Sequence, residues 1–238
     1  MMHKIIALAN QKGGVGKTTT TIHLGAALTF QGCKVLLVDM DPQGNTTSGV
    51  GVSLESHQPS VYEVLIGAVE PREAVIHSGT GGMDIMPARI DLTAAEVELV
   101  PVENREMLLK AQLSQIKEDY DFILIDCPPS LGLLTINSLT AADSVIIPLQ
   151  CEYYAMEGLG QLLNTIRLIR GGLNKDLILE GIVLKMYDQR NNLSREVLRQ
   201  ITESFPTEAF QTVIPRNMRM SEAPSYGQPI NIYDKNSV

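Results

Sequence analysis

Residues 10–21 read NQKGGVGKTTTT, between an apolar run, KIIALAN (4–10), and a stretch of helical spacing from Thr18 to Phe30. A buried strand, a glycine-rich turn and a helix, in that order, open an α/β sheet. Gly13, Gly14 and Gly16 let the backbone curl without Cβ clashes. Successive N–H groups can then point inward and cradle a phosphate. The following helix brings its positive N-terminal end to the same place. Lys17 is placed to reach β- and γ-phosphates and the Thr18 hydroxyl to ligate Mg²⁺. The usual pattern wants Gly at 11, but Gln11 stands there, followed by a second lysine, Lys12. The change at 11 does little harm, because phosphate contact falls on 13–18, with Val15 inside the loop and Thr19 at its helical end. A chance match to K-G-G-x-G-K-[ST] in a chain this long is on the order of one in ten thousand or less.

Outward from this unit, short apolar runs alternate with helical ones. VLLVD (35–39), FILID (122–126), SVIIPLQ (144–150) and LILEGIVLKMY (177–187) read as strands, with shorter candidates at GMDIMPA (82–88) and TVIP (212–215). The runs are continuous, as in parallel strands covered on both faces. Helical patterns lie at 92–120, broken near Pro101, and at 132–142, 153–170 and 193–204. This alternation predicts a single-domain α/β protein, residues 1–238, with a mostly parallel twisted sheet and helices on both faces. The polar connection 43–60 reads either as a mobile switch region or as an ordinary surface loop.

The composition agrees. Of 238 residues, 44% are hydrophobic and 19% charged, which disfavours disorder. No apolar run reaches membrane-span length, and the N-terminus runs straight into the glycine loop with no signal-peptide pattern. A cytoplasmic protein is expected. Cys33, Cys127 and Cys151 have neither disulfide nor metal-ligand spacing. A formal net charge of -8 argues against a protein coated with nucleic acid. His3, His23, His57 and His77 are scattered and receive no role.

Asp39 and Asp41 end the second strand and Asp126 ends FILID. Ligands of open α/β sheets bind beyond the carboxyl ends of strands. An apolar strand ending in Asp is the arrangement that holds Mg²⁺, usually through water, and Asp126 is the residue expected there. A strand-terminal Asp can also be a helix N-cap.

The loop KGGVGKTT is a deviant Walker A motif. With it, the stretches VLLVDMDPQGNTTSG, DFILIDCPPSLGLLTINSLTAADSVIIPLQCEYYAMEGL and VIPRNMRMSEAPSYGQPI resemble the ParA/MinD group of P-loop ATPases, and within it chromosomal ParA proteins of the Soj type. The resemblance runs from the N-terminus to residue 230. It implies a Mg²⁺-dependent ATPase that binds ATP and ADP, transfers phosphoryl to water without a covalent intermediate, and turns over slowly. Lys12 is then the lysine that crosses a dimer interface to the partner's ATP, and Gly13 is small because another chain packs over it. The residues alone leave Lys12 open as a solvent-exposed loop lysine. By the same resemblance Asp41 orients the attacking water and Asp39 joins the magnesium and switch network. Pro215 and Asn217, with Met186 nearby, frame the adenine. Arg190 and Arg219 contact DNA, and Lys185, Arg195 and Arg199 are candidates to join them. Residues 185–235 hold seven Lys/Arg and six Asp/Glu, so that region is only balanced.

The function implied is DNA partitioning: an ATP-bound homodimer on non-specific nucleoid DNA, stimulated by a ParB-type partner. Two relatives with other functions fit less well. A MinD-like membrane-cycling ATPase needs a basic amphipathic tail, which NIYDKNSV (231–238) does not supply. A nitrogenase-iron-protein-like chain needs a second bridging cysteine beside Cys127, which is not evident. The start of the first strand at residue 4 leaves no room for the added N-terminal DNA-reading domain of some plasmid relatives. Soj-type chains also continue past the YD segment with a further helix, which this sequence lacks.

Overall fold

Apolar runs of β-branched and aliphatic residues, each closed by a polar or glycine turn, become the strands of one sheet. The structure is a computed structural model that describes residues 3–78, 80–152 and 155–237. Its strands are β1 (Lys4–Leu8), β2 (Val35–Asp39), β3 (Ile76–His77), β4 (Asp84–Met86), β5 (Phe122–Asp126), β6 (Ser144–Gln150) and β7 (Ile178–Lys185). The helices are α1 (Lys17–Phe30), α2 (Asn45–Gly49), α3 (Val61–Leu65), α4 (Leu92–Glu98), α5 (Leu108–Leu113), α6 (Leu133–Ala141), α7 (Ala155–Gly171), α8 (Asn192–Ser204), α9 (Met218–Glu222) and α10 (Ile230–Tyr233).

The sheet order is β3-β4-β2-β5-β1-β6-β7. Every pairing is parallel except β3 with β4. The chain leaves β1 to one side to form β2, and returns past β1 to form β6 on its other side. Strand order reverses there, which opens a crevice beyond the carboxyl ends of the strands. The register brings Leu8 and Asp39 level with Asp126 on their respective sides. The glycine loop and two carboxylates therefore share one edge of the sheet.

One face of the sheet packs Leu36, Val38, Ile123, Ile125, Val145 and Ile147 into the larger core cluster, together with helical residues such as Leu134, Leu159 and Ile201. The other packs Ile6, Leu8, Leu37, Leu124 and Ile146 with Ile22 and Ala26 of α1. Helix α1 lies close because of Gly25. A Cβ there would fall 2.8 Å from Met83 Sδ and 2.9 Å from Leu37 Cδ2. This close approach sets the height at which α1, and hence the glycine loop, meets the sheet.

The structure corrects the sequence reading in several places. TVIP (212–215) is not a strand. Ile214 N donates to Leu184 O at 2.8 Å, Tyr187 N to Ile214 O at 3.2 Å and Arg216 N to Tyr187 O at 3.2 Å, which closes an isolated Tyr187–Pro215 bridge before Asn217 caps α9 and the chain turns away. The segment 92–120 breaks into α4, α5 and short 3₁₀ turns. β3 has two residues, too few to show a period. The helix expected from 153 is seen from Ala155, since 153 and 154 lie outside the described residues. The connection 43–60 is not an ordinary surface loop throughout: α2 forms inside it and buries Thr46 and Thr47. No helix of the described residues is long and apolar enough to cross a membrane.

Gly25→Val should therefore cost about 1–3 kcal/mol in urea denaturation, through overpacking against Met83 and Leu37. Gly160→Ala is the control. Among the described residues, nothing lies within 4 Å of a Cβ at Gly160, inside α7. It should leave stability unchanged or raise it by up to about 1 kcal/mol through helix propensity.

Candidate nucleotide site

Asn10 ends the first strand run and shapes the loop. Its Nδ2 donates to Pro148 O at 2.7 Å, and its Oδ1 accepts from Lys12 N at 3.0 Å. Gly14 and Gly16 take left-handed φ values of 75° and 84°, which a side chain would strain. Val15 is buried and packs behind the loop in a small recess with Leu149 and Ala155, so only its backbone is available to a ligand. In front lies an open cleft of about 360 Å³, lined by Gly13, Gly14, Gly16, Lys17, Thr18, Thr19, Asp41 and Met186. Gln43, Asn45 and Pro129 complete its wall. The α1 N–H groups of the first turn have no intrahelical acceptor and open toward it.

The two lysines of the motif are arranged differently. Lys17 is buried, and its Nζ crosses the loop to Lys12 O at 3.2 Å. Burial lowers its pKa, against the attraction of Asp126. Lys12 points away from its own loop. Its Nζ pairs with Glu152 Oε2 at 2.5 Å, and both side chains are about two-fifths exposed, at 40% and 43%.

Asp126 collects hydroxyls. Its Oδ2 accepts from Thr18 Oγ1 at 2.7 Å and from Thr46 Oγ1 at 2.6 Å, and its Oδ1 from Thr21 Oγ1 at 3.3 Å. With the Thr18 proton committed to Asp126, the Thr18 oxygen lone pairs are free to face the cleft. Asp39 is held the same way by α2. Its Oδ2 accepts from Thr47 N at 2.9 Å and Thr47 Oγ1 at 2.7 Å, and its Oδ1 from Asp41 N at 3.1 Å. Both carboxylates are fully buried. Burial pushes Asp126 up to about 6, and burial with the neighbouring Asp126 pushes Asp39 up to about 7. Asp41 lines the cleft, with Gln43 N on its Oδ1 at 3.0 Å.

The donors fit magnesium, which takes oxygen ligands from one or two protein groups and keeps the rest for phosphate and water. Thr18 and Asp126 fit as a direct and a water-mediated holder. Asp39, expected among the metal residues, is turned to the 44–47 turn rather than the cleft, so what it holds directly is Asp41 and α2. Thr46, Thr47, Thr21, Gln43, Asn45 and Glu152 escaped the sequence reading. The run Asn45-Thr46-Thr47-Ser48 after Asp39 and Asp41 was the available signal.

The Tyr187–Pro215 bridge draws two loops together. Met186, Pro215 and Asn217 thereby line one recess of about 150 Å³ with Thr19 and Arg216, adjoining the cleft. Asn217 also caps α9. Arg190 stands on the loop after β7 and Arg219 on α9, which follows the segment bridged to that loop. Arg190 lies against Asp188 at 3.2 Å and Arg219 against Glu222 at 3.1 Å, so each charge is locally answered. Arg199 is paired with Glu196 and Glu203. Lys185, a candidate for the same surface, is instead buried at 4% exposure, because β7 ends by turning it under the glycine loop.

A strand–loop–helix cradle with a buried Asp on the adjoining strand is the site of a P-loop NTPase. Comparison with known proteins narrows the class. A family model described as an AAA domain matches residues 3–179. The sporulation initiation inhibitor protein Soj of Bacillus subtilis is 54% identical over 236 residues, covering 99% of this chain and 93% of that protein. The chromosome partitioning protein ParA of Myxococcus xanthus is 51% identical, covering 97% and 82%. Among solved structures, cobyrinic acid a,c-diamide synthase of Mycobacterium smegmatis with bound ADP and magnesium aligns with a TM-score of 0.86 at 46% identity, covering 95% and 91%. The chain belongs to the ParA/Soj family.

The raised Asp39 has a consequence for stability in metal-free solution. The folded chain holds its proton above the unfolded pKa, so that contribution is full below about pH 4 and is lost as pH rises through about 7. The difference in unfolding free energy between wild type and Asp39→Asn, measured with chelator, should shift in favour of the variant between those values. A pH-independent difference would mean that Asp39 is ionised throughout.

Proposed function

We propose that this chain is a DNA-partitioning ATPase whose ATP-bound form is a face-to-face dimer on DNA. The observation that carries the reading is the placement of the two loop lysines. Lys17 serves its own cradle, whereas Lys12 stands on the rim and, among the described residues, its ammonium pairs with Glu152 alone. Gly13 supports it. Among the described residues, a Cβ there would meet nothing closer than Pro129 Cβ at 4.0 Å, so crowding by them does not require glycine at that position. Packing of a second copy over the loop explains both. Lys12 then leaves Glu152 for the triphosphate bound by the partner, where a second cation offsets developing charge.

Within one subunit, Gly13, Gly14, Val15 and Gly16 offer backbone N–H groups to the phosphates, joined by Lys17, Thr18 and Thr19. Met186, Pro215 and Asn217 frame the adenine. The relative solved with ADP and magnesium supports ATP, ADP and Mg²⁺ as the ligands here. Magnesium, when bound, neutralises phosphate oxygens at Thr18 and, through water, at Asp126. Asp41 lines the cleft and orients the attacking water, held in turn by Gln43 and by the Asp39 network. Hydrolysis is slow until a ParB-type partner completes the site.

Arg190 and Arg219 contact DNA phosphates. In a monomer each is answered by an acidic neighbour, and dimerisation doubles the set along one backbone. Binding is sequence-independent, salt-sensitive and confined to the ATP state, which would keep the protein on the nucleoid in the cytoplasm.

Gel shift with non-specific duplex DNA and ATP, ADP or no nucleotide tests this. ATP alone should promote binding. Arg190→Ala should reduce the slope of log affinity against log salt by about 2 per dimer, one for each phosphate left without its arginine. Equal DNA affinity of the ATP and ADP forms, with the ATP form confirmed dimeric, would falsify the reading. In analytical ultracentrifugation, Lys12→Ala should keep nucleotide binding and lose the ATP-dependent dimer.

A further inference from the structure

Lys185 closes β7 with a buried charge that the nucleotide reading leaves without a task. Its Nζ donates to Gly16 O at 3.0 Å and to Thr20 Oγ1 at 2.9 Å. Both acceptors are neutral, and among the described residues no carboxylate pairs with it. Burial pushes its pKa down to about 8. A buried ammonium with no counter-ion opposes folding unless something offsets it. It also lies at the first turn of α1, where the helix end is already positive.

The acceptor explains the arrangement. Gly16 O takes Lys185 Nζ together with Thr20 N at 2.9 Å and Thr20 Oγ1 at 2.6 Å. Across a trans peptide the C=O and the next N–H point in opposite directions. Donors pulling on Gly16 O from below therefore aim the Lys17 N–H upward, toward the face of the loop that lines the cleft. That N–H opens the helix and has no carbonyl of its own helix to bond. The space is also committed: a Cβ on Gly16 would lie 2.6 Å from Lys185 Nζ.

We propose that Lys185 is a positioning residue for the nucleotide's polyphosphate, holding and polarising the Gly16–Lys17 peptide from behind, with the bound anion as its counter-ion. This rests on the nucleotide reading above. It concerns the phosphates and not the base, so it separates nucleotides from nucleosides.

Among the described residues, the titratable and charged groups around Lys185 are His23 on α1, Cys151 after β6, Arg216 in the segment beyond β7, and Lys17, which follows the Gly16 carbonyl that Lys185 holds. His23 is pushed down to about 4 and Cys151 up to about 11, so neither titrates between pH 7 and 9.5. Lys17 is common to wild type and variant and cancels in the comparison.

The test is calorimetric binding of ADP and of adenosine, both in chelator, to wild type and Lys185→Met. The variant should bind ADP about tenfold more weakly at pH 7 and adenosine equally well. The gap should close as pH rises through 8 to 9.5, because the wild type loses its charge there. The ligand-free variant should melt no lower than wild type, since it sheds an uncompensated charge, yet gain less from ADP. Should the variant fail to fold, Thr20→Val removes one of the two acceptors and carries the same comparison. Equal ADP affinity, equal losses for ADP and adenosine, or a gap that ignores pH would overturn the proposal while leaving the nucleotide reading intact. Failure of the wild type to bind ADP at all would overturn both.

Discussion

The Asp126 carboxylate is the point on which the site depends. It ends the central-sheet strand β5 and is fully buried, yet three threonine hydroxyls converge on it, from the glycine loop, from α1 and from α2. A buried carboxylate needs such donors, and each of these donors needs an acceptor. One group thus ties the phosphate loop to the segment after β2. Thr18 and Thr46 donate to the same oxygen of Asp126, with no residue between them and that acceptor. Asp39 repeats the device one strand away with Thr47, and its second oxygen holds Asp41 in place.

The lysines show how the same side chain serves different ends according to its surroundings. Lys17 is buried beside carboxylates and a carbonyl, so its charge is fixed within the loop. Lys12 is half-exposed on a weak surface pair, which costs little to break. Lys185 is buried, and its partners among the described residues are neutral acceptors. A graded set of cations results, from committed to exchangeable, around a cleft suited to a polyanion. The arginines farther out, each leaning on an acidic neighbour, continue that gradient to the surface. This is consistent with a chain of net charge -8 still presenting local cationic points.

His23 shows a histidine of the sequence put to purely structural use. It accepts Ile230 N on Nδ1 at 3.2 Å, and burial pushes it down to about 4, so the neutral ring fastens the C-terminal segment to α1. Nothing in the local pattern around His23 points to this, because the partner lies 207 residues away.

The glycine loop, the five long strands and helix α1 were legible because their signals are local. Apolar runs, a glycine turn and strand-ending aspartates need only neighbours in sequence to declare themselves. Thr46, Thr47, Glu152 and Lys185 were not legible, and TVIP was misread, because their states depend on contacts across the sheet. A threonine in a polar stretch is a loop residue until a buried carboxylate 80 positions away accepts its proton. A lysine at the end of a strand is a surface charge until the fold turns it inward under the loop. The sequence by itself determined the chemistry available, since covalent identity and short-range periodicity survive without a fold. Only the tertiary structure decided which groups are desolvated and paired, because burial and hydrogen-bond partnership belong to the packed chain and not to any segment of it.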